Sequence, residues 1–357
     1  MPPALTLRAG PDALAIIRER GFRAEDVDVV PGASGGAKWL ALGGLDRFLF
    51  GEFFAAPRER SLHLIGSSIG SWRMACLAQR DPVAALERGH RAYIHGQRYS
   101  SKPTPREVTD VMGRALDEML GPNGIEEILT HPWARLHVIT AQARGLAASE
   151  RRAALLTGLA VAAVANVVSR RTLAWQMRRC IFNSCGDETP FRRLADLPTV
   201  HLPLTRENLR AALLASGSIP LLLESVRIPG DEGGVHWDGG VLDYHPDIDF
   251  GDGDGIVMYP HFYAHVVPGW FDKGLRWRRS RGVNFRRALF ISPSESFVAS
   301  LPGKRIPDRR DFRSLTVGER IRRWQSVLDA SERLGDELRE LVETGRTEAV
   351  RELRSAN

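Results

Sequence analysis

Gly66-Ser67-Ser68-Ile69-Gly70 constrains this chain more than any other stretch. The run before it, Leu62 to Ile65, is too short for a helix and alternates too little for an exposed strand. The segment after it offers Ile69, Trp72, Met74, Ala75 and Leu77 for burial, as an amphipathic helix does. Strand, Gly-x-Ser-x-Gly, helix is the context of a nucleophile elbow. The turn is sharp, so Gly66 and Gly70, which flank the serine, must lack side chains. Ser68 would sit at its tip with an exposed hydroxyl near the positive end of the following helix. On its own the pattern is common, and its plainest reading is a loop that caps a helix at Ser68 or Ser71.

Two other stretches sharpen it. Upstream, Val27-Asp28-Val29-Val30 reads as a buried strand. It leads into Pro31-Gly32-Ala33-Ser34-Gly35-Gly36-Ala37-Lys38 and an apolar helical segment, Trp39 to Phe50. A small-residue loop that opens a helix presents free N–H groups, which hold a phosphate or an oxyanion. A phosphate loop would need Gly-x-x-x-x-Gly-Lys-Ser/Thr, whereas Trp39 stands where the hydroxyl residue should be. Downstream, Val235-His236-Trp237-Asp238-Gly239-Gly240-Val241 puts a carboxylate before two glycines that let another backbone approach. Burial beside Trp237 would raise the Asp238 pKa and make it a better base. The bland alternative is an Asp-Gly turn between strands.

Taken in order, these stretches resemble the patatin-like phospholipase family. Ala215-Ser216-Gly217-Ser218-Ile219-Pro220 adds a fourth match, similar to that family's small-residue run ending in Ile-Pro. The resemblance spans Asp28 to Ile256, roughly two thirds of the chain. It implies a Ser–Asp dyad with Ser68 as nucleophile and Asp238 as general base, with Gly35, Gly36 and Ala37 as oxyanion donors. It further implies hydrolysis of phospholipid, lysophospholipid or acylglycerol esters through an acyl-enzyme, with no metal or cofactor. The chain departs from the family loop at Ser34 and Trp39, where glycines are usual, while Lys38 fits its basic position. Two rival functions stay open. One is an α/β-hydrolase-type esterase with a Ser–Asp–His triad using His261 or His265; the other is a lipid-binding protein without turnover.

Strands are expected also at Leu136 to Ala141, Val200 to Leu204, Ile256 to Tyr259 and Ala288 to Ser292. Helices are expected at Arg106 to Leu120, Arg152 to Ser169, Arg206 to Ala215 and Val317 to Val342, the last with a break at Gly335. The alternation argues an α/β fold with a mostly parallel sheet, and the resemblance implies a three-layer sandwich. A catalytic domain over residues 25–315 and a C-terminal amphipathic segment over 316–357 follow. Cys76, Cys180 and Cys185 are odd in number and show no metal spacing, which suits reduced thiols in the cytoplasm. Met1 to Gly10 has no leader pattern. The carboxylates of Asp247 to Gly255 do not fit an EF-hand and read as a solvated turn.

The net charge of +6 favours anionic partners. Trp270 to Arg287 interleaves Trp270, Phe271, Trp277 and Phe285 with Lys273, Arg276, Arg278, Arg279, Arg281, Arg286 and Arg287, a composition suited to an anionic membrane surface. Single-stranded nucleic acid ranks below it, because no nucleic-acid motif accompanies the run. Ala153 to Val168 is apolar but shorter than a membrane span, and a span there would separate Ser68 from Asp238. It is expected to be a core helix or a lid that dips into the interface, with the protein cytoplasmic or peripheral at the inner membrane face.

Overall fold

A computed structural model describes residues 2–149, 151–280 and 282–353. Arg281, one of the basic residues of the Trp270–Arg287 run, and residues 354–357 of the C-terminal segment lie outside the described residues. The strands are β1 (Leu5–Ala9), β2 (Val27–Gly32), β3 (Leu62–Ser67), β4 (Ala134–Ala143), β5 (Met177–Asn183), β6 (Thr199–Pro203), β7 (His236–Asp238), β8 (Ile256–Pro260), β9 (Ala288–Pro293) and β10 (Val350–Glu352). The α-helices are α1 (Pro11–Arg20), α2 (Gly43–Phe48), α3 (Ile69–Leu77), α4 (Pro82–His95), α5 (Pro105–Leu120), α6 (Gly124–Leu129), α7 (Arg152–Val168), α8 (Leu209–Ser216), α9 (Glu295–Ser300), α10 (Asp311–Ser314), α11 (Val317–Ala330) and α12 (Glu332–Glu343).

The strands form one sheet in the order β10-β1-β9-β8-β2-β3-β4-β5-β6, with β7 paired to β4 off that path. The pairings β2/β3, β3/β4, β2/β8, β8/β9, β5/β6 and β1/β10 are parallel; β1/β9, β4/β5 and β4/β7 are antiparallel. The architecture is a mostly parallel α/β sheet between helical layers. Strands β2 and β3 are almost wholly buried, as expected for parallel strands covered on both faces. Their C-terminal ends bring Gly32 opposite Gly66, so the Gly-rich loop and the elbow emerge together. That end of a parallel sheet is where ligands usually bind.

The segment Trp39 to Phe50 is helical as expected, though irregular: a 3-10 turn over Gly36–Leu42 passes into α2 and then a π turn over Leu49–Phe53. Two expectations need correction. The C-terminal helix breaks at Ser331 rather than Gly335. The Ser331 hydroxyl accepts the Gly44 N–H at 2.8 Å, and Gly335 sits within α12 because a Cβ there would strike the Gly44 carbonyl. Finally, α7 is not a core helix. It buries Leu155, Gly158, Ala162 and Asn166, while Leu156, Val161, Val164 and Val167 face solvent.

The Asp247 to Gly255 stretch holds exposed Asp252 and Asp254 in ion pairs with Arg193 and Arg60, and Asn284 donates to Asp247 at 2.9 Å. Asp249 accepts the Gly251 N–H at 2.9 Å, so these carboxylates are engaged by groups of the protein itself.

Candidate active site

Ser68 follows β3 directly, with φ 55° and ψ −133°, outside the regions an L-residue prefers. Such backbone costs about 1–3 kcal/mol and persists only where its surroundings hold it. Here they do. The Ser68 N–H donates to Ser216 Oγ at 2.9 Å, and Ser216 Oγ donates to the Ile139 carbonyl at 2.7 Å. Ser71 Oγ donates back to the Ser68 carbonyl at 2.7 Å. Gly66 and Gly70 press on each other, and Gly70 presses on Gly32, so a Cβ at any of these positions would meet backbone. The elbow is welded to the end of β2.

Ser68 Oγ donates to Asp238 Oδ2 at 2.7 Å. Asp238 ends β7, where its other carboxylate oxygen accepts the Gly240 N–H at 2.7 Å and its own N–H donates to the Ser218 carbonyl at 2.8 Å. Gly239 lies against the Ile139 carbonyl and Gly240 against Ser34, so both glycines are needed for close approach. The Ala215 to Pro220 run thus supports the site twice, through Ser216 and Ser218. Ser68 is 8 % and Asp238 5 % exposed, so the pair is nearly dry and the Ser68 hydroxyl is not exposed as the elbow pattern suggests. Burial pushes the Asp238 carboxyl up to about 6, against the opposing pull of the Ser68 and Gly240 hydrogen bonds and of nearby Arg309 and Lys273.

Ser34, the loop's first departure from glycine, has a structural task. Its hydroxyl meets Ser67 Oγ at 2.8 Å and the Ser67 carbonyl at 3.1 Å, and its N–H donates to the Tyr244 carbonyl at 2.8 Å. Ser67 Oγ in turn donates to the Asp243 carbonyl at 2.5 Å, and the Asp243 carboxylate is held by buried Arg179 at 2.7 Å. Beyond Ser34 come Gly35 and Gly36, the latter with φ 56°. Neither of their N–H groups donates to a carbonyl among the described residues. Ala37 is buried at the start of the 3-10 turn. Trp39 packs into the core with its ring 4.5 Å from His90 and 5.7 Å from Tyr93.

Three cations gather at this end of the sheet. Lys273 Nζ stands 3.7 Å from the centre of the Tyr244 ring, and its pKa is lowered by burial of the ammonium and by Arg309 and Lys38. Lys38 Nζ reaches the Gly35 carbonyl at 3.4 Å, and burial draws its pKa down to about 8. Among the described residues, no carboxylate lies within ion-pair distance of Lys38, Lys273 or Arg309.

The candidate triad histidines stand elsewhere. His261 is fully buried with Nδ1 engaged by the Tyr263 backbone at 2.7 and 2.8 Å, and His265 stacks on the Tyr263 ring. Neither makes a hydrogen bond to Asp238 or Ser68.

At the opposite ends of β3 and β4, the structure gathers residues that sequence spacing did not connect: His63, His137 and Cys185. His63 Nδ1 lies 3.1 Å from His137 Nε2, and Cys185 Sγ 3.9 Å from that same nitrogen. Cys180, Asp231 and His236 form a second such group. One ring donating to the other accounts for the His63–His137 contact, and Asp231 accepting from His236 at 2.8 Å accounts for the second group. A cavity of about 320 Å³ lined by Asp28, Arg60, His63 and Arg287 opens at this far end and contains neither Ser68 nor Asp238.

Comparison with protein-family models, with curated proteins and with solved structures finds no match, so the resemblance to patatin-like phospholipases rests on the motifs and their order.

Proposed function

We propose that the chain is a serine hydrolase of lipid acyl esters working through a Ser68–Asp238 dyad. The observation that carries this is the 2.7 Å bond from Ser68 Oγ, on a strained elbow, to a buried carboxylate. As Oγ attacks the ester carbonyl, Asp238 takes its proton. The N–H groups of Gly35 and Gly36, with Ala37, receive the developing oxyanion. Asp238 then returns the proton to the leaving alcohol, and an acyl-Ser68 ester remains. In the second half, water attacks that ester while Asp238 accepts its proton, the acyl–Oγ bond breaks to release the fatty acid, and Asp238 returns the proton to Ser68 Oγ. A raised pKa suits both directions, because the group must be ionised to start and must release its proton promptly.

The direct Ser–Asp bond favours a dyad over a triad, since a triad places an imidazole between the two. The cations Lys38, Lys273 and Arg309 favour an ester whose remainder carries an anion. Phospholipid or lysophospholipid fits that better than a neutral acylglycerol. The position at the parallel sheet's C-terminal end and the four ordered motifs support the same class.

The test is release of p-nitrophenol from a medium-chain p-nitrophenyl ester. Ser68→Ala and Asp238→Asn are each expected to reduce kcat by at least ~10³-fold. The double variant His261→Ala with His265→Ala is expected to retain turnover. Full activity in Asp238→Asn would remove the dyad from consideration, and loss in the histidine variant would restore the triad.

A further inference from the structure

The two stretches that the sequence marks separately as membrane candidates lie together in space. The side chain of Arg278 donates to the last carbonyls of α7, at Asn166 (3.1 Å), Val167 (3.3 Å) and Val168 (2.8 Å). Asp272 accepts from Asn166 of α7 at 2.7 Å and from Arg170 at 2.5 Å. The segment 270–278 is thereby clasped to the C-terminal end of α7.

Exposed apolar side chains stand along α7 and on the segments that meet it at this joint. Leu156, Val161, Val164 and Val168 on α7, Trp175 just beyond it and Trp277 on the clasped segment are all exposed, Val168 by 83 % and Trp175 by 65 %. A monomer rarely leaves such a set uncovered without a use. Its rim is basic: Arg151, Arg152 and Arg171 flank the helix, and Arg276 and Arg279 flank Trp277, all exposed. The nearest carboxylate described within either segment, Asp272, is buried and already paired.

The face also connects to the site. Trp237, next to Asp238, donates its indole N–H to the Ala147 carbonyl at 3.1 Å, ahead of α7. Arg170, just after α7, donates to the Leu242 carbonyl at 2.9 Å. Leu155, Ala162, Trp237, Val241 and Leu242 share one small core. The helix that carries this face therefore packs on the segment that holds Asp238.

We propose that this face docks on an anionic lipid bilayer, with the α7 valines and the tryptophans seated at the headgroup boundary and the arginines on anionic headgroups. Charge selects this occupant. A second copy meeting the first through the same face would bring like charges together, whereas anionic lipid neutralises them. Exposed tryptophan beside arginine suits the water–hydrocarbon boundary. The inference names the partner of the proposed lipid hydrolase, but the binding itself needs no turnover.

The experiment uses full-length Ser68→Ala protein, co-sedimented with phosphatidylcholine vesicles with and without phosphatidylglycerol. Binding is expected only with the anionic lipid, with release at high salt and a blue shift of tryptophan emission. Val164→Asp with Val168→Asp, and separately Arg171→Glu with Arg276→Glu, are expected to weaken partition roughly tenfold or more. In a Ser68 background, both pairs should leave soluble-ester turnover unchanged, which reports an intact fold. Undiminished binding by both pairs, equal binding to neutral vesicles, or self-association in place of vesicle binding would overturn the proposal. Vesicle binding by a protein whose Ser68 form hydrolyses no ester would sink the hydrolase reading and leave the docking face standing. Ester turnover without vesicle binding would do the reverse.

Discussion

The elbow at Ser68 and helix α7 are both built from small and apolar residues, and they meet their surroundings in opposite ways. At the elbow, glycines 32, 66, 70 and 239 bring backbone against backbone, Gly240 lies against the Ser34 side chain, and Ser34, Ser67, Ser71 and Ser216 engage the polar groups there. On α7, a narrow stripe through Leu155, Gly158, Ala162 and Asn166 packs inward and the valines beside it face solvent. Small residues at the elbow serve close approach; on α7 the outward valines Val161, Val164, Val167 and Val168 are left in solvent. A substitution should therefore cost the fold at the first site and spare it at the second.

The largest effect is expected from Gly70→Ala. Its new methyl would collide with the Gly32 carbonyl, and backbone on both sides blocks an easy shift. Overpacking of this kind costs about 3 kcal/mol, the upper part of the usual range. Ester turnover should fall with it, since Ser68 would be displaced. Chemical denaturation checks the first and a p-nitrophenyl ester the second. Stability within 0.5 kcal/mol of the starting protein, a margin ordinary for surface changes, would mean that the elbow is looser than its contacts imply.

Asp238 separates function from stability within the elbow. Its folded pKa, about 6, lies above its ordinary value of 3.8, so the fold favours the protonated form. Stability is then greatest at low pH and is lost as pH rises through about 6, by at most about 3 kcal/mol. Asparagine keeps the shape without the charge. Asp238→Asn is expected to be inactive yet more stable than the parent at pH 8, with the advantage shrinking towards pH 5. In the parent protein, kcat/KM for an uncharged soluble ester should climb with pH through about 6, as the base ionises. A flat profile across that range would deny Asp238 the role of base.

Much of this was legible in the sequence, for reasons that particular residues show. Val27 to Val30 and Leu62 to Ile65 read as buried strands because parallel strands need apolar residues on both faces, and β2 and β3 stand there. The order of Gly-rich loop, elbow and Asp-Gly-Gly anticipated a close approach, and Ser68 and Asp238 meet. By contrast, β1 and β10 went unread because each is short and they form the sheet's far edge from opposite ends of the chain. Ser34 reads as a mere departure until its bond to Ser67 is seen, because a hydroxyl's partner is not written in its neighbours. The Ser216 contact spans 148 positions and has no local signal beyond its run of small residues. For α7 the sequence left two readings, a core helix or an interfacial lid, and only the packing reveals that one side is left open.

The smallest effect sharpens the comparison most. Val164→Asp with Val168→Asp puts two charges on a helix whose buried stripe they do not touch, at positions 73 % and 83 % exposed. A buried valine replaced by aspartate would lose its transfer free energy and strand a charge, a cost of several kcal/mol. An exposed one loses little, so the change should stay within about 0.5 kcal/mol, together with a slight loss of helix propensity. The two outcomes are far enough apart for a single thermal melt to distinguish them. A drop of more than 2 kcal/mol, well beyond what a solvated site allows, would mean that the valines are covered in solution, by another copy or by a shift of α7. A null result in buffer, beside the loss of vesicle binding expected from the same pair, would show apolar surface kept for a partner rather than for the fold.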